Sequence, residues 1–170
     1  MSQYGGQQGH GGGRGGYGGG QYGQAPEQSL TDIWPNYLKE GYFDADQNLR
    51  AEYVSRETVE KLVQAMCGAR VGLTTHQVRR YFGHCRAVET QLRSSNVEWK
   101  RVWPLVAKLG ISAADGASKQ PTPKIPKLFQ EFIQRNVDKL TSKEDFLRGF
   151  LPHFEAIIGF GQAHFKKDRN

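Results

Sequence analysis

Residues 74–93, TTHQVRRYFGHCRAVETQLR, carry the clearest helix signal in this sequence. Thr74 and Gln77 have the spacing of a capping box, in which each side chain bonds the backbone N–H group of the other residue. Apolar residues then recur along one face of the helix that Thr74 would cap. They are Val78, Tyr81, Phe82, Cys85, Val88 and Leu92. We predict a helix from Thr74 to about Leu92 that buries this stripe in a core.

The segments that precede this helix are helical in pattern as well. Residues 30–39, LTDIWPNYLK, form a short apolar segment interrupted by a proline, which predicts a short helix followed by a loop. Ser55 is placed to cap a further helix that runs to about Cys67, with Gly68 just past its end. Four apolar residues share one face of that helix: Val59, Leu62, Val63 and Met66. The second helix therefore has a side that faces the core.

The sequence after residue 93 predicts a helix and then a loop. Ser95 and Glu98 form a second capping box before an apolar helix, which Gly110 closes and Pro104 should kink or divide. Residues 111–126, ISAADGASKQPTPKIP, have the composition of a connecting loop. We therefore expect a polar connector before the C-terminal helices.

Two more helices complete the pattern. Pro126 suits the first position of a helix through residues 127–137, KLFQEFIQRNV. Thr141 and Glu144 make a third capping box before a last helix that contains Pro152. Because no alternating, strand-like pattern remains, we predict an all-α fold, a compact bundle of five or six helices with short loops.

Glycine is concentrated at the N-terminus. Residues 1–25 hold 12 of the 21 glycines and only five of the 63 apolar residues. Such a segment buries too little apolar surface to offset its chain entropy. We expect residues 1–28 to form a disordered Gly/Gln/Tyr-rich tail and residues 29–170 to form a single helical domain.

Several classes of protein find no support in the sequence. No apolar run approaches the roughly 20 residues of a membrane span, and residues 1–28 lack the apolar region of a secretory signal, so we expect a cytoplasmic protein. The two cysteines, Cys67 and Cys85, form no C-x-x-C motif and are predicted to be reduced, buried thiols. Because no catalytic or phosphate-cradling motif occurs, we expect a non-catalytic protein without a cofactor or metal site.

Positive charge is concentrated in the middle of the chain. Residues 67–110 have a net charge of +6, against −4 for residues 26–66 and +3 for residues 111–170. The basic residues of the middle segment are Arg70, Arg79, Arg80, Arg86, Arg93, Lys100, Arg101 and Lys108. This surplus favours a polyanionic partner, and the alternative is an ordinary solvated basic face.

Helical geometry aligns part of this charge. At 100° per residue, Arg79, Gly83, Arg86, Thr90 and Arg93 lie within about 40° of one line. We call Arg79, Arg86 and Arg93, which recur at intervals of about 10 Å, the arginine ridge. Guanidinium groups form forked bonds to phosphate, so the ridge suits a phosphate chain. Further cations that could widen the track are Arg80, Lys100, Arg101 and Lys108.

The same region carries a family resemblance. Residues 73–82, LTTHQVRRYF, resemble the L-T-T-S-Q-I-R signature that opens the main helix of the small subunit of type III-A CRISPR effector complexes, the Csm small subunit. Residues 146–160, FLRGFLPHFEAIIGF, are similar to that family's closing F-F-E-A-I-V-A-Y pattern. The order and spacing of the segments also agree over about residues 30–166.

The resemblance implies a non-catalytic subunit of a ribonucleoprotein used in antiviral defence. Several copies would stack along the CRISPR guide RNA and its target RNA, beside the other subunits of the type III-A complex, and contact the RNA backbone. Gln77 and Arg79 match the Gln and Arg of the family signature. The assignment of Arg80, Arg86 and Arg93 as RNA-binding residues rests on the ridge geometry instead.

The chain departs from the family pattern in the segment after the main helix. Residues 102–112, VWPLVAKLGIS, stand where the family has L-x-P-x-L-A-Y-A-x-G-R, so the Tyr and the final Arg are absent. Lys100, Arg101 or Lys108 would have to replace that contact with RNA. The Gly-rich tail is also outside the family pattern.

Two other functions remain open from the residues alone. The chain could be a helix-turn-helix DNA-binding regulator, although residues 68–73 exceed the usual turn of three or four residues. It could also be a helical protein-interaction module without nucleic acid. Steep salt dependence of binding to generic RNA would separate the RNA-binding small subunit from both alternatives.

Overall fold

Six α-helices make up most of the described structure, a computed structural model of residues 27–94 and 96–167. They are α1 (Leu30–Ile33), α2 (Arg56–Gly68), α3 (Thr75–Arg93), α4 (Trp99–Ser118), α5 (Lys127–Lys139) and α6 (Leu151–Gly161). A 3-10 helix, Ala51–Tyr53, precedes α2, and a π-helical stretch, Asp145–Phe150, leads into α6. Since these two ranges contain no β-strand, only isolated bridges, the predicted all-α fold of five or six helices is confirmed. Of the predicted tail, all but its last two positions lie outside the described residues.

The start of α3 follows the predicted capping box. Thr74 Oγ1 accepts from the Gln77 N–H at 3.3 Å, and Gln77 Oε1 accepts from the Thr74 N–H at 2.9 Å. The predicted apolar stripe is buried, except that Phe82 is half-buried. In α2 the predicted apolar face is also buried, although the Ser55 hydroxyl bonds the Thr58 hydroxyl at 2.7 Å and caps no backbone N–H. Local sequence signals therefore suffice to place α2 and α3, although the predicted side-chain cap of α2 does not form.

Helix α4 is longer than predicted. It neither divides at Pro104 nor closes at Gly110, but continues through eight residues that we expected to be loop. Ala113 is completely buried, and a Cβ atom at Gly116 would lie 3.2 Å from the Ile125 side chain. Packing of this small-residue face against the following chain therefore overrides the loop-like composition. Ser95, half of the predicted capping box before α4, lies outside the described residues.

The capping box before the last helix is displaced by one residue from its predicted place. Ser142 and Asp145 form it, because Asp145 Oδ2 accepts from the Ser142 N–H at 3.0 Å while Ser142 Oγ accepts from the Asp145 N–H at 3.0 Å. Thr141 contributes a further N–H to the same carboxylate at 2.9 Å, and the predicted pairing of Thr141 with Glu144 is wrong. Pro126 likewise lies one position before α5, as its N-cap.

Aromatic side chains of α5 and the last helix fill the centre of the core. Phe129, Phe132, Phe146, Phe150 and Phe154 are fully buried, and Phe150 stacks on Phe154 with ring centroids 5.6 Å apart. Around this centre, α4 packs against α5 and α3, while α2 packs against α6. The rings therefore fix the positions of α3 and α4, the helices that carry the predicted RNA-binding residues.

A buried hydrogen-bond cluster joins the N-terminal segment to this core. His153 Nδ1 donates to the Tyr53 carbonyl, and the Tyr37 hydroxyl donates to His153 Nε2 at 2.8 Å. Asn136 Nδ2 donates to the Tyr37 oxygen at 2.6 Å, and the Tyr42 hydroxyl donates to Asn136 Oδ1 at 2.8 Å. Burial lowers the pKa of His153 to about 4, so the imidazole is neutral at physiological pH.

The two cysteines are free and buried, as predicted. Burial raises the pKa of Cys67 to about 11 and raises that of Cys85 further. Both side chains are therefore protonated core residues at physiological pH.

Candidate nucleic-acid interface

The arginine ridge lies on the solvent side of α3. Arg79, Arg86 and Arg93 are all exposed, as are Gly83 and Thr90 between them. A Cβ atom added at Gly83 would meet no other atom within 4 Å, so no side chain or neighbouring helix covers this point. The ridge is therefore an open surface, which an extended chain can approach closely at Gly83.

A buried glutamate holds two of the three ridge arginines. Glu89 is only 6 % exposed, and its Oε1 accepts from Arg93 Nε at 2.8 Å. Its other oxygen, Oε2, lies 2.6 Å from Arg86 Nη1. Glu155 of α6 adds a longer ion pair to Arg86 at 3.4 Å. These carboxylates orient the guanidinium groups and offset part of their charge.

Our sequence reasoning overlooked Glu89, although its spacing is visible in the sequence. It lies three residues after Arg86 and four before Arg93, and both spacings bring side chains together on a helix. No sequence spacing indicates the contact of Glu155 with Arg86, because Glu155 reaches the ridge only through the packing of α6 beside α3.

Arg79 differs from the other two ridge residues. Among the described residues it forms no ion pair, and its side chain is exposed near the start of α3. With Gly83 one turn away, it provides the least neutralised positive charge on the ridge. The N-terminal half of the ridge therefore carries its least neutralised positive charge.

Gln77, the other predicted RNA-binding residue that matches the family signature, has a structural function. Its side-chain oxygen is the acceptor in the capping box with Thr74, and its Nε2 donates to the Lys124 carbonyl before α5. Both halves of the amide are therefore bonded within the protein, and the side chain ties the start of α3 to the loop after α4.

The predicted cations at the start of α4 form a separate group. Lys100 and Arg101 are exposed, and Lys100 Nζ lies 3.1 Å from Glu98. The neighbouring aromatic residues, Trp99 and Trp103, are half-buried against the core, with their rings 5.8 Å apart. These tryptophans therefore pack the start of α4 against the core.

The remaining two predicted residues meet in a cavity. Arg80 of α3 and Lys108 of α4 line a space of about 510 Å³ between the two helices. The other lining residues are Tyr81, His84, Leu109, Ile111, Ser112 and Asp115. The eight predicted RNA-binding residues thus divide into the ridge, the α4 start, the cavity and the structurally engaged Gln77.

Comparison with known protein families identifies the family of this chain. A family model described as Csm2 Type III-A matches residues 56–167, which is more than half of the chain and includes all eight of these residues. The chain belongs to the Csm2 Type III-A family. This Csm2 family member is a small subunit of the type III-A CRISPR complex and assembles with other subunits of that complex. The resemblance found in the sequence is therefore confirmed.

Other comparisons add no relative. No curated protein and no solved structure gives a significant match to this Csm2 family member. None of the helices in residues 27–94 and 96–167 combines the length and apolar character that crossing a membrane requires. The same part of the chain holds no group of three His, Cys, Asp or Glu residues placed to bind a metal ion.

Proposed function

We propose that this Csm2 family member is a non-catalytic RNA-binding subunit, which contacts the backbone of guide and target RNA in the cytoplasm. In this proposal residues 29–170 act as one small-subunit domain, and residues 1–28 are an appended tail. The observation that carries the proposal is the exposed arginine ridge of α3, with open helix surface at Gly83. Three guanidinium groups at intervals of about 10 Å follow a phosphate chain without reading its bases.

The ion pairs of the ridge suit an exchangeable phosphate contact. Glu155 is half-exposed and lies 3.4 Å from Arg86, so a phosphate oxygen competes with it readily. Glu89 is buried and remains in place, where it keeps Arg86 and Arg93 aligned while their outer N–H groups face the RNA. RNA binding therefore requires little rearrangement of the ridge.

Several copies in one complex would make this small footprint effective. A ridge of three arginines neutralises few phosphates, so a single copy binds RNA weakly, with a slope of log affinity against log salt of only about −2. Copies stacked along one RNA present their ridges at a high effective concentration. We therefore propose self-association beside the other subunits of the complex.

The structure gives no support to the helix-turn-helix alternative. A recognition helix reads base edges with side chains near its N-terminus. Gln77, which would be such a residue, has its amide bonded to Thr74 and to the Lys124 carbonyl. The positive charge instead extends along the full length of α3.

A double variant tests the proposal. Arg79→Ala with Arg86→Ala removes two ridge cations, while Lys127→Ala with Arg135→Ala removes two exposed cations of α5 as a matched control. For generic single-stranded RNA, we expect the ridge variant to bind more weakly, with a slope of log affinity against log salt reduced by about 1.4. The control should keep the wild-type slope, and circular dichroism should show unchanged helix content in both.

Other outcomes identify the alternatives. Equal RNA affinity and equal salt slope in the ridge variant and the wild type would refute the assignment of the ridge. Preference of the wild type for one DNA sequence would indicate a DNA-binding regulator. Absence of binding to any nucleic acid, alone or in the assembled complex, would indicate a protein-interaction module.

A further inference from the structure

The cavity between α3 and α4 has a cationic rim. Arg80 and Lys108 face it from the two helices, and neither forms an ion pair with any of the described residues. The carboxylate at the rim, Asp115, is paired with Lys119 at 2.7 Å. The cavity therefore presents two cations that form no ion pair within the described structure, and such groups can bind a phosphate.

Part of the cavity wall is apolar. Ile111 is 67 % exposed, the most exposed large apolar side chain among the described residues, and it stands beside Leu109 at this wall. Tyr81 contributes its ring, and its buried hydroxyl has no hydrogen-bond partner in the described part of the chain. An exposed isoleucine next to unpaired cations is suited to a ligand with a flat apolar face and an anionic group.

Polar groups at the cavity are already placed. His84 Nε2 donates to the Leu105 carbonyl at 2.6 Å, and Ser112 is exposed. The Arg80 guanidinium lies over the Tyr81 ring at 5.4 Å, so one face of its plane is supported by the protein. Its other face is free to stack on a planar ligand.

We propose that this cavity receives one unstacked base of the bound RNA, with the adjoining phosphate held by Arg80 and Lys108. The inference rests on the proposed function, because it assigns a second site for the same RNA. The volume of about 510 Å³ lies in the range of small-ligand pockets and accommodates one nucleotide. The base packs between the Arg80 plane and Ile111, while no base-specific set of hydrogen bonds surrounds it.

The test compares RNA with and without bases. The full chain is titrated with an oligoadenylate of about 12 nucleotides and with an abasic oligomer of the same length and charge. Ile111→Glu removes the apolar wall, and Ala114→Glu places the same charge on an exposed position of α4 outside the cavity. The measured quantity is the ratio of the two affinities, so a general effect of the added charge cancels.

We expect the wild type to prefer the oligoadenylate about tenfold, which is the usual effect of one stacked base. Ile111→Glu should abolish the preference, and Ala114→Glu should retain it. Equal binding of the two oligomers by the wild type, or an unchanged preference in Ile111→Glu, would overturn the cavity assignment while the ridge proposal stands. If neither oligomer binds to the wild type, alone or in the assembled complex, the proposed function fails, and the cavity site fails with it.

Discussion

Acidification should destabilise this protein through one histidine. His153 is completely buried, and its environment fixes the neutral form: Nδ1 donates to a carbonyl and Nε2 accepts from the Tyr37 hydroxyl. A proton on Nε2 would face an oxygen that already accepts a hydrogen bond from Asn136. Burial therefore lowers the pKa of His153 from 6.5 to about 4.

The sign and size of the effect follow from this difference. Below pH 6.5 the unfolded chain binds a proton at His153 that the folded chain does not bind until about pH 4. The stabilisation that neutral His153 provides is complete above pH 6.5 and is lost as the pH falls from 6.5 to about 4. Lowering the pH from 6.5 to about 4 reduces the free energy of unfolding by about 3 kcal/mol. About 2 kcal/mol of this is lost by about pH 5.

Urea denaturation at about pH 7.5 and about pH 5 measures this loss. The free energy of unfolding of His153→Gln should lack the difference of about 2 kcal/mol between the two pH values. His76→Gln, at an exposed position of α3, should retain it. Because His153→Gln perturbs a buried cluster, NMR titration of the wild-type imidazole provides a second measurement. A His153 resonance that titrates near pH 6.5 would refute the reasoning.

Two further predictions concern close packing and the ridge. Gly149→Ala should destabilise the fold by about 1–3 kcal/mol, because its Cβ would lie 2.5 Å from the Tyr42 ring; Gly83→Ala, in open space on α3, should instead stabilise it by about 1 kcal/mol. Chemical denaturation checks both, and equal effects of the two changes would contradict the packing argument. Glu155→Gln should strengthen RNA binding up to about fivefold at low salt, because it releases Arg86. The gain should vanish when Arg86 is also replaced by alanine, and a gain that persists would contradict this explanation.

Sequence reasoning succeeded where the signal is local. The capping box of Thr74 and Gln77 lies within four residues, and the apolar stripe of α3 follows from helical periodicity alone. The exposed ridge was predictable for the same reason, since its members share one helix. The C-terminal half of α4 was not, because Gly116 is helical through its close approach to Ile125.

The displaced capping box has a different cause. Thr141 with Glu144 and Ser142 with Asp145 have the same spacing and similar chemistry, so the sequence offers both pairs equally. Only the backbone path into the π-helical stretch selects the second pair. That stretch ends at Phe150, two residues before Pro152, whose ring and missing N–H are incompatible with regular α-helical bonding.

The cavity could not be predicted from periodicity, because Arg80 and Lys108 come from different helices. Their proximity depends on the packing of α3 against α4, and the part of the wall beyond Gly110 depends on the unexpected continuation of α4. Ile111 and Ser112, which we had placed in a loop, belong to that continuation.

The buried cluster around His153 has a consequence for synthesis of the chain on the ribosome. Tyr37, Tyr42 and Tyr53 are made early, but their partners Asn136 and His153 lie 94 to 116 residues later. At the usual translation rates, roughly 5 to 20 s pass before those partners emerge. During that time the three tyrosines lack these hydrogen-bond partners, so the buried cluster forms only after His153 has been made.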